Sequence, residues 1–419
     1  MYAIRAMIGL CLMGISILPV RADELDLDAL IQEALENNPN LSVLRARLAA
    51  FEAKIPQAGA LEDPSFRFEV SNVPLSNFNL SSTPMSGNQF VLSQKFSLPG
   101  KQRARERSAQ FASDSVAWLL RDRELAIVNA VKQPFLELAY VTRAIAIMEK
   151  NRVLLQDLVR TARTKYAVGK GLQQDVLKAQ VSLSALDTRL IALRAEKQLA
   201  EARLNLVLNR SPQSPLGAPP DTIGLSGVPL AVDALQAQAD ETHPSLKAME
   251  QLIMMWQAQV EVAKRNFWPD MTVNLGYRQR VFTPNDPVGG SDFISVGIGI
   301  PLPVFGGRKQ RQKIAEARAN MREVEAQKAA ERQQISYEIQ RLIIEVRQHR
   351  ESAELFRTAM LPQAEQSLAS ALSGYQVDKV DFLTLLNNQV TLLNFEIAHY
   401  RHVIEHEKRV ADLDAAVGW

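Results

Sequence analysis

Cysteine is almost absent from this sequence, whose 419 residues contain only Cys11. Cys11 lies in an apolar run from Ala6 to Val20, which follows Arg5 and gives way to the small residue Ala22. A basic start, an apolar centre and a small residue at the end predict a cleaved secretory signal peptide, here residues 1–22. The remaining chain would then have no disulfide and no cysteine-ligated metal.

Excess charge of one sign is also lacking. Loss of residues 1–22 removes Arg5 and Arg21 but no acidic residue, which leaves 46 basic and 46 acidic side chains. A neutral chain gives no electrostatic reason to expect nucleic acid or anionic lipid as a partner. A content of 47% hydrophobic and 22% charged residues excludes both a disordered chain and a polytopic helical membrane protein.

Motifs of the common enzyme classes are missing as well. The sequence has no glycine-rich phosphate loop and no nucleophile elbow. Its carboxylates lie among Lys and Arg side chains at the three- and four-residue spacing of helical ion pairs, which is typical of solvated helix faces. We therefore expect no catalytic residue and no cofactor.

Two stretches carry the alternation of a β-hairpin. In the stretch 269–307, apolar residues alternate with small or polar ones on both sides of a turn rich in Pro and Gly. The apolar positions are Met271, Val273, Leu275, Tyr277, Ile294, Val296, Ile298 and Ile300. The stretch 64–100 shows a similar pattern through Phe66, Phe68, Val70, Phe90, Leu92 and Phe96. Both hairpins are flanked by helical sequence.

The two hairpins belong to a repeat of the whole plan. The pair Asn38-Pro39 recurs 205 residues later as His243-Pro244. The stretch around Lys101 recurs 207 residues later around Arg308, and Tyr166 recurs 209 residues later as Tyr375. A long, nearly constant period of this kind indicates an internal duplication. We divide the chain into the signal peptide 1–22, a first repeat 23–227 with hairpin 64–100 and helix pair 101–209, and a second repeat 228–419 with hairpin 269–307 and helix pair 308–417.

Two prolines are expected to interrupt helices. Pro134 predicts a kink or a break in the first long helix, and Pro56 predicts an end to the helix before the first hairpin.

Four strands are too few to close a sheet, whereas a membrane barrel needs about eight or more. Two copies of the chain would supply eight strands and three would supply twelve, with the apolar faces towards lipid and the edge strands paired between copies. The long helices carry apolar residues at three- and four-residue steps, which favours antiparallel coiled-coil packing. Oligomerisation is thus expected to be part of folding.

With this plan the sequence resembles the TolC-type outer-membrane efflux channel family over the whole chain after residue 22. The resemblance is carried by the duplication, the junctions Leu98-Pro99-Gly100-Lys101 and Phe305-Gly306-Gly307-Arg308, and the turn motif Tyr166, Gly169, Asp175-Val176-Leu177 and Gln180. It implies a homotrimer with a twelve-strand outer-membrane β-barrel continued by an α-helical barrel in the periplasm. It also implies a periplasmic adaptor protein and an inner-membrane pump as partners, and conduction without catalysis.

The resemblance also implies an entrance at the two helix turns, near 169–171 and 378–379. Tyr375 matches a tyrosine that helps to hold the entrance of the family shut. The acidic entrance positions of the family fall on Thr384 and Asn387, so here Asp378, Asp381 and Asp175 are the candidates for that charge. A ring of carboxylates would favour cations. The alternative role is helix capping, which we favour for Asp175 and weigh equally for Asp381.

Two features hint at metals. The Leu98–Lys101 junction is most similar to the heavy-metal-exporting branch of the family. His399, His402 and His406 follow at steps of three and four, next to Glu405, a spacing at which imidazoles can bind Zn or Cu. We favour the alternative, a polar stripe on an exposed helix.

A rival function is a periplasmic coiled-coil adaptor or structural protein. It predicts soluble hairpins and a chain that fractionates with the periplasm, whereas the channel predicts an outer-membrane oligomer.

Overall fold

The computed structural model describes residues 24–229, 231–284 and 286–419. The predicted signal peptide lies outside the described residues and stays a prediction. Helices and a sheet follow each other in the same order in both halves. The helices are α1 (Leu27–Asn37), α2 (Pro39–Gly59), α3 (Lys101–Ala167), α4 (Gln173–Val207), α5 (Val232–Thr242), α6 (Pro244–Arg265), α7 (Gln310–Leu355), α8 (Leu361–Gln376) and α9 (Phe382–Val417).

The four strands are joined in one antiparallel sheet in the order β1-β2-β3-β4. They are β1 (Ser65–Ser71), β2 (Gly87–Phe96), β3 (Met271–Arg280) and β4 (Phe293–Gly299). The two predicted hairpins therefore pair with each other through β2 and β3, whose register runs from Gly87 opposite Arg280 to Phe96 opposite Met271. Within the described residues of one chain, the outer edges of β1 and β4 have no neighbouring strand.

One face of this sheet is apolar and exposed. The register places Phe68 opposite Phe90, Phe90 opposite Tyr277, and Tyr277 opposite Ile294, so these side chains form a row across all four strands. The Phe68 and Phe90 rings are tilted against each other at a centroid distance of 5.1 Å, and the Phe90 and Tyr277 rings stack at 6.2 Å. Val296 is 71% exposed in the single chain. The alternation predicted from the sequence is thus present, and its apolar side has no core of its own to cover it.

Matching hydrogen bonds in the two halves support the internal repeat. Asn38 Oδ1 accepts a hydrogen bond from the backbone N–H of Asn40 at 3.0 Å at the start of α2. His243, 205 residues later, accepts in the same way through Nδ1 from the N–H of Ser245 at 3.3 Å at the start of α6. Both residues therefore cap a helix whose first residue is proline, which suits that position because proline has no N–H to leave unpaired.

The predicted helix interruptions at proline differ from the structure. α3 continues through Pro134, so a break there was the wrong expectation. Proline removes one N–H and costs a helix about 3 kcal/mol, but Val131, Phe135 and Leu138 around it are buried and their packing offsets that cost. α2 likewise continues past Pro56 to Gly59, because only its last turn is affected.

The second long helical run is less regular than predicted. A π-helical segment, Phe356–Met360, separates α7 from α8, and Pro362 follows it in the first turn of α8. Pro362 has no backbone N–H, so a regular helix would lack one hydrogen bond at this point. The wider π-helical turn lies just before Pro362, at the place where that hydrogen bond is missing.

The chain forms two compact units. The first contains the described residues up to Glu33, Val131–Gly224 and Ala353–Ile404, and the second contains Ala34–Ala130, Leu225–Ser352 and Glu405–Trp419. The core of the first unit includes Leu186, Tyr375 and Phe382. The core of the second unit includes Ile339, Leu342 and Leu413. Among the described residues, no helix is both long and apolar enough to cross a lipid bilayer.

Candidate entrance site at the helix turns

The two helix turns of the first unit share one backbone design. In the α3–α4 turn, the N–H of Lys170 donates to the carbonyl of Lys165 at 2.9 Å. In the α8–α9 turn, 209 residues later, the N–H of Lys379 donates to the carbonyl of Gly374 at 2.9 Å. The residue before each donor has a positive φ, 74° at Gly169 and 59° at Asp378. Hydrogen bonds of this kind end helices on a left-handed residue, and glycine suits that conformation better than aspartate does.

Lys165 connects the two turns. Its Nζ forms an ion pair with the Asp378 carboxylate, donates a hydrogen bond to the carbonyl oxygen of Tyr375 at 2.7 Å, and lies 4.1 Å from the centroid of the Tyr375 ring. The ammonium group thereby contacts a carboxylate, a carbonyl and an aromatic face at once. Lys165 was not predicted from the sequence, because nothing local marks it and its partners lie more than 200 residues away.

Tyr375 is buried, whereas Tyr166, its counterpart in the first repeat, is 48% exposed. The ring of Tyr375 packs edge-on against Phe382 at a centroid distance of 5.7 Å. Burial raises the pKa of the Tyr375 phenol, with smaller contributions from the carboxylates of Asp175 and Asp378, and Lys165 opposes the rise. The phenol therefore stays neutral at physiological pH, and the two repeats give equivalent tyrosines different surroundings.

Gly374 allows the second turn to close tightly. A Cβ at this position would lie 2.5 Å from Cγ2 of Val380, closer than any real contact. The absence of a side chain thus lets Val380 approach the last turns of α8, next to Tyr375.

The three aspartates differ in their surroundings. The hydrogen bond and charge of Lys165 hold the pKa of Asp378 below its ordinary value. Asp381 caps α9, since it accepts from the N–H of Thr384 at 2.7 Å and from the Thr384 hydroxyl at 2.9 Å. Asp175 lies in the first turn of α4 without a side-chain capping hydrogen bond there. Capping is therefore present at Asp381, and Asp175 gains only the favourable field of a helix N-terminus.

The histidine stripe is not gathered into one site. His402 stacks on the ring of Phe356 at a centroid distance of 5.6 Å, and His406 is fully buried with Nδ1 2.9 Å from the Glu407 carboxylate. His399 is partly buried, and burial lowers its pKa. Within the part of the chain that the structure describes, no three His, Cys, Asp or Glu side chains are placed to hold a metal ion.

Comparison with known proteins decides the family. A family model described as outer membrane efflux protein matches residues 30–210 and again residues 235–418. The chain belongs to the outer membrane efflux protein family. The double match also confirms the internal repeat, because each half of the chain aligns separately.

Relatives of this outer membrane efflux protein match it nearly end to end. The cobalt-zinc-cadmium resistance protein CzcC of Cupriavidus metallidurans is 25% identical over 414 residues, which cover 97% of this chain and 94% of CzcC. The outer membrane protein VceC of Vibrio cholerae has a TM-score of 0.76 at 21% identity, over 94% of this chain and 96% of VceC. CusC, whose structures were described in terms of transmembrane channel formation, has a TM-score of 0.79 at 15% identity, over 94% of this chain and 92% of CusC.

These findings confirm the predicted class of fold, location and function. The protein has the fold of outer-membrane channels, a small antiparallel sheet continued by long helices. It is an outer-membrane efflux channel, with its helical part in the periplasm. The rival function of a periplasmic adaptor does not agree with this family.

Proposed function

We propose that this channel is the outer-membrane component of a tripartite system that exports heavy-metal cations. The observation that carries the choice of substrate is the similarity to CzcC, a cobalt-zinc-cadmium resistance protein, over 97% of this chain. A periplasmic adaptor and an inner-membrane pump would deliver the cations, and the channel would conduct them passively to the exterior.

The edges of the sheet support a homotrimer. β1 and β4 are both seven residues long and run in opposite directions, because an antiparallel sheet of four strands ends on the opposite direction from its start. β4 of one copy can therefore pair with β1 of the next in the same antiparallel pattern. Three copies give twelve strands, an even number within the range of bacterial outer-membrane barrels.

The apolar face of the sheet fits contact with outer-membrane lipid. Phe66, Ile294 and Ile298 are 67%, 75% and 65% exposed in the single chain. On the opposite face the register aligns Ser93 with Asn274 and Gln89 with Arg278, which suits a water-filled lumen.

The α3–α4 and α8–α9 turns form the proposed periplasmic entrance. Tyr375 and Asp378 are held by Lys165 and constitute the closing contact, while Asp381 and Asp175 add negative charge next to it. Carboxylates repeated around a symmetry axis would favour cations over anions. The buried tyrosine and the ion pair together keep the second turn against the first.

Metal resistance in a deletion strain tests the proposed substrate. Expression of the wild-type chain is expected to restore growth in the presence of cobalt, zinc or cadmium salts. Val296→Asp, a variant with impaired insertion, is expected to restore less growth. Resistance to an uncharged organic antibiotic serves as the comparison. Restored antibiotic resistance without any effect on metal resistance would contradict the proposal for metal cations.

A further inference from the structure

An arginine-lined cavity lies in the second unit, where the sheet gives way to the helices. Its volume is about 610 Å³, and it lies between the first turns of α3 and the last turns of α6. Arg103 and Arg107, four residues apart on α3, and Arg265 at the end of α6 all line it. None of its lining residues belongs to the proposed entrance.

The positive charge of the cavity is largely unopposed. Arg103 and Arg107 are exposed and make no ion pair within the described residues. The acidic lining residue Glu261 already pairs with Lys264 at 2.6 Å. Three guanidinium groups therefore face one carboxylate that is engaged elsewhere. The neutral net charge of the whole chain hides this local excess.

Backbone geometry adds to the preference for an anion. Arg265 is held across Gly100 by a hydrogen bond from its NH1 to the carbonyl of Pro99 at 3.2 Å. Gly100 has φ = 86°, a left-handed conformation that favours glycine, and a Cβ there would lie 2.5 Å from that nitrogen and would displace the Arg265 guanidinium. α3 begins at the next residue, and the positive end of its helix dipole lies at the cavity.

Exposed aromatic and aliphatic side chains flank both junctions between the sheet and the helices that follow or precede it. Trp268 is 69% exposed and lies between Arg265 and the first residue of β3, Met271. The other junction between sheet and helix exposes Leu302, Val304 and Phe305 at 73–76%. Exposed aromatic and aliphatic side chains at the end of a lipid-facing strand mark the level of the lipid headgroups.

Chain length limits how far the cavity can lie from the membrane. Gly100 follows the last residue of β2, Phe96, by four residues, and Arg265 precedes Met271 by six. At about 3.3–3.6 Å per residue, the cavity lies within about 20 Å of the end of the apolar sheet face. Arginine side chains add reach, because their apolar stems lie along the protein while the charged ends extend to phosphates.

We propose that Arg103, Arg107 and Arg265 bind the headgroup phosphate of an anionic phospholipid in the periplasmic leaflet of the outer membrane. Guanidinium groups suit this ligand because they donate two parallel hydrogen bonds to phosphate oxygens. Phe111 and Met254, which also line the cavity, offer an apolar wall to the glycerol and upper acyl chain. Bound lipid would fix the height of the channel in the bilayer.

Lipid binding to the purified full-length oligomer in neutral detergent tests the proposal. Phosphatidylglycerol is titrated and the bound molecules are counted by native mass spectrometry. The double variant Arg103→Gln/Arg107→Gln is expected to lower the apparent affinity about tenfold or more, since it removes two of the three guanidinium groups that would contact the phosphate. Glutamine keeps a similar helix propensity, so the fold of α3 is preserved.

The matched control is Arg123→Gln/Arg163→Gln, which removes the same charge from two exposed positions of α3 outside the cavity. It is expected to leave the affinity within about twofold of wild type, because exposed charges beyond a Debye length are screened. Inorganic phosphate is expected not to displace the lipid, since it lacks the apolar part.

Three results would overturn the proposal. Equal affinity of the cavity variant and the control would show that the arginines do not bind the lipid. Displacement by inorganic phosphate would make the ligand a free anion. Dissociation of the cavity variant into single chains would show that the arginines pair with a neighbouring copy. None of these readouts depends on metal transport, so the proposed function is tested separately.

Discussion

At the scale of single residues, Lys165 joins parts of the chain that the sequence separates by 213 positions. It contacts both the Asp378 carboxylate and the backbone and ring of Tyr375. Its side chain is largely buried, whereas that of Asp378 is 61% exposed. The less exposed contacts to Tyr375 therefore contribute more to holding the two turns together than the exposed ion pair does.

The variant Lys165→Met tests this closing contact. It removes a charge-assisted hydrogen bond to the Tyr375 carbonyl, worth on the order of 1 kcal/mol or more, and is expected to raise the open fraction about fivefold or more. Single-channel recordings in planar bilayers measure that fraction as the open probability. Lys379→Met, at an exposed position of the α8–α9 turn, is the control and is expected to have the open probability of wild type. Equal open probability of wild type and Lys165→Met would refute a closing role.

Sequence reasoning reached only part of this site. Tyr375, Asp378 and Asp381 were predicted because a repeat and a family resemblance mark their turn, and their role in an entrance stays a prediction. The capping role of Asp381 depends on the hydrogen bond that it accepts from Thr384, which composition does not reveal. Lys165 carries no motif, and its role arises only when two distant turns come together.

At the scale of elements, the histidine at the start of α6 predicts that the stability of the folded protein depends on pH. His243 accepts the capping hydrogen bond through Nδ1, so that nitrogen carries no proton in the folded state. Burial lowers the pKa of His243 below 6.5. The folded protein thus binds fewer protons here than the unfolded chain, and this contribution to stability is present above pH 6.5 and is lost as the pH falls through the lowered pKa.

His243→Asn is expected to remove this dependence, because asparagine does not titrate and Asn38 already caps the equivalent helix of the first repeat. Thermal unfolding in detergent is compared between about pH 7.5 and about pH 5.5, on either side of the ordinary histidine pKa. The wild type is expected to lose more thermal stability on acidification than the variant. An equal loss in both would exclude His243 as the titrating group.

The sheet predicts a difference between its two faces. Val296 lies on the apolar face opposite Leu275, and Asn274, on the other face, accepts from the Ser93 hydroxyl at 2.6 Å. Val296→Asp is expected to destabilise the inserted state by about 1–2 kcal/mol, because charge on a lipid-facing strand is costly. Asn274→Asp, which adds the same charge on the polar face, is expected to insert normally. Heat-modifiable migration of outer-membrane fractions measures insertion, and equal defects in both variants would contradict the assignment of faces.

Strand positions were largely predictable, because alternation with period two is a local signal. The pairing of β2 with β3 was not, since it joins residues about 180 apart and no local pattern marks a partner strand. The uninterrupted course of α3 through Pro134 also escaped prediction. The local rule for proline was correct, but buried neighbours such as Val131 and Leu138 outweighed it.

At the scale of the whole molecule, oligomerisation follows from the sheet. In the part of the chain that the structure describes, four strands carry an exposed apolar face and two unpaired edges. A single chain cannot be stable in lipid in this form, because unpaired backbone groups cost several kcal/mol each in a bilayer. Copies of the same chain supply the missing strands with matching length and direction. The sequence predicts this requirement, and the number of copies rests on barrel geometry and on the family.

The native mass of protein extracted from the outer membrane tests this central claim most directly. The account predicts that the chain fractionates with the outer membrane and that, in mild detergent, the complex has about three times the mass of one processed chain. A species with the mass of only one processed chain, found in the periplasmic fraction, would contradict the account.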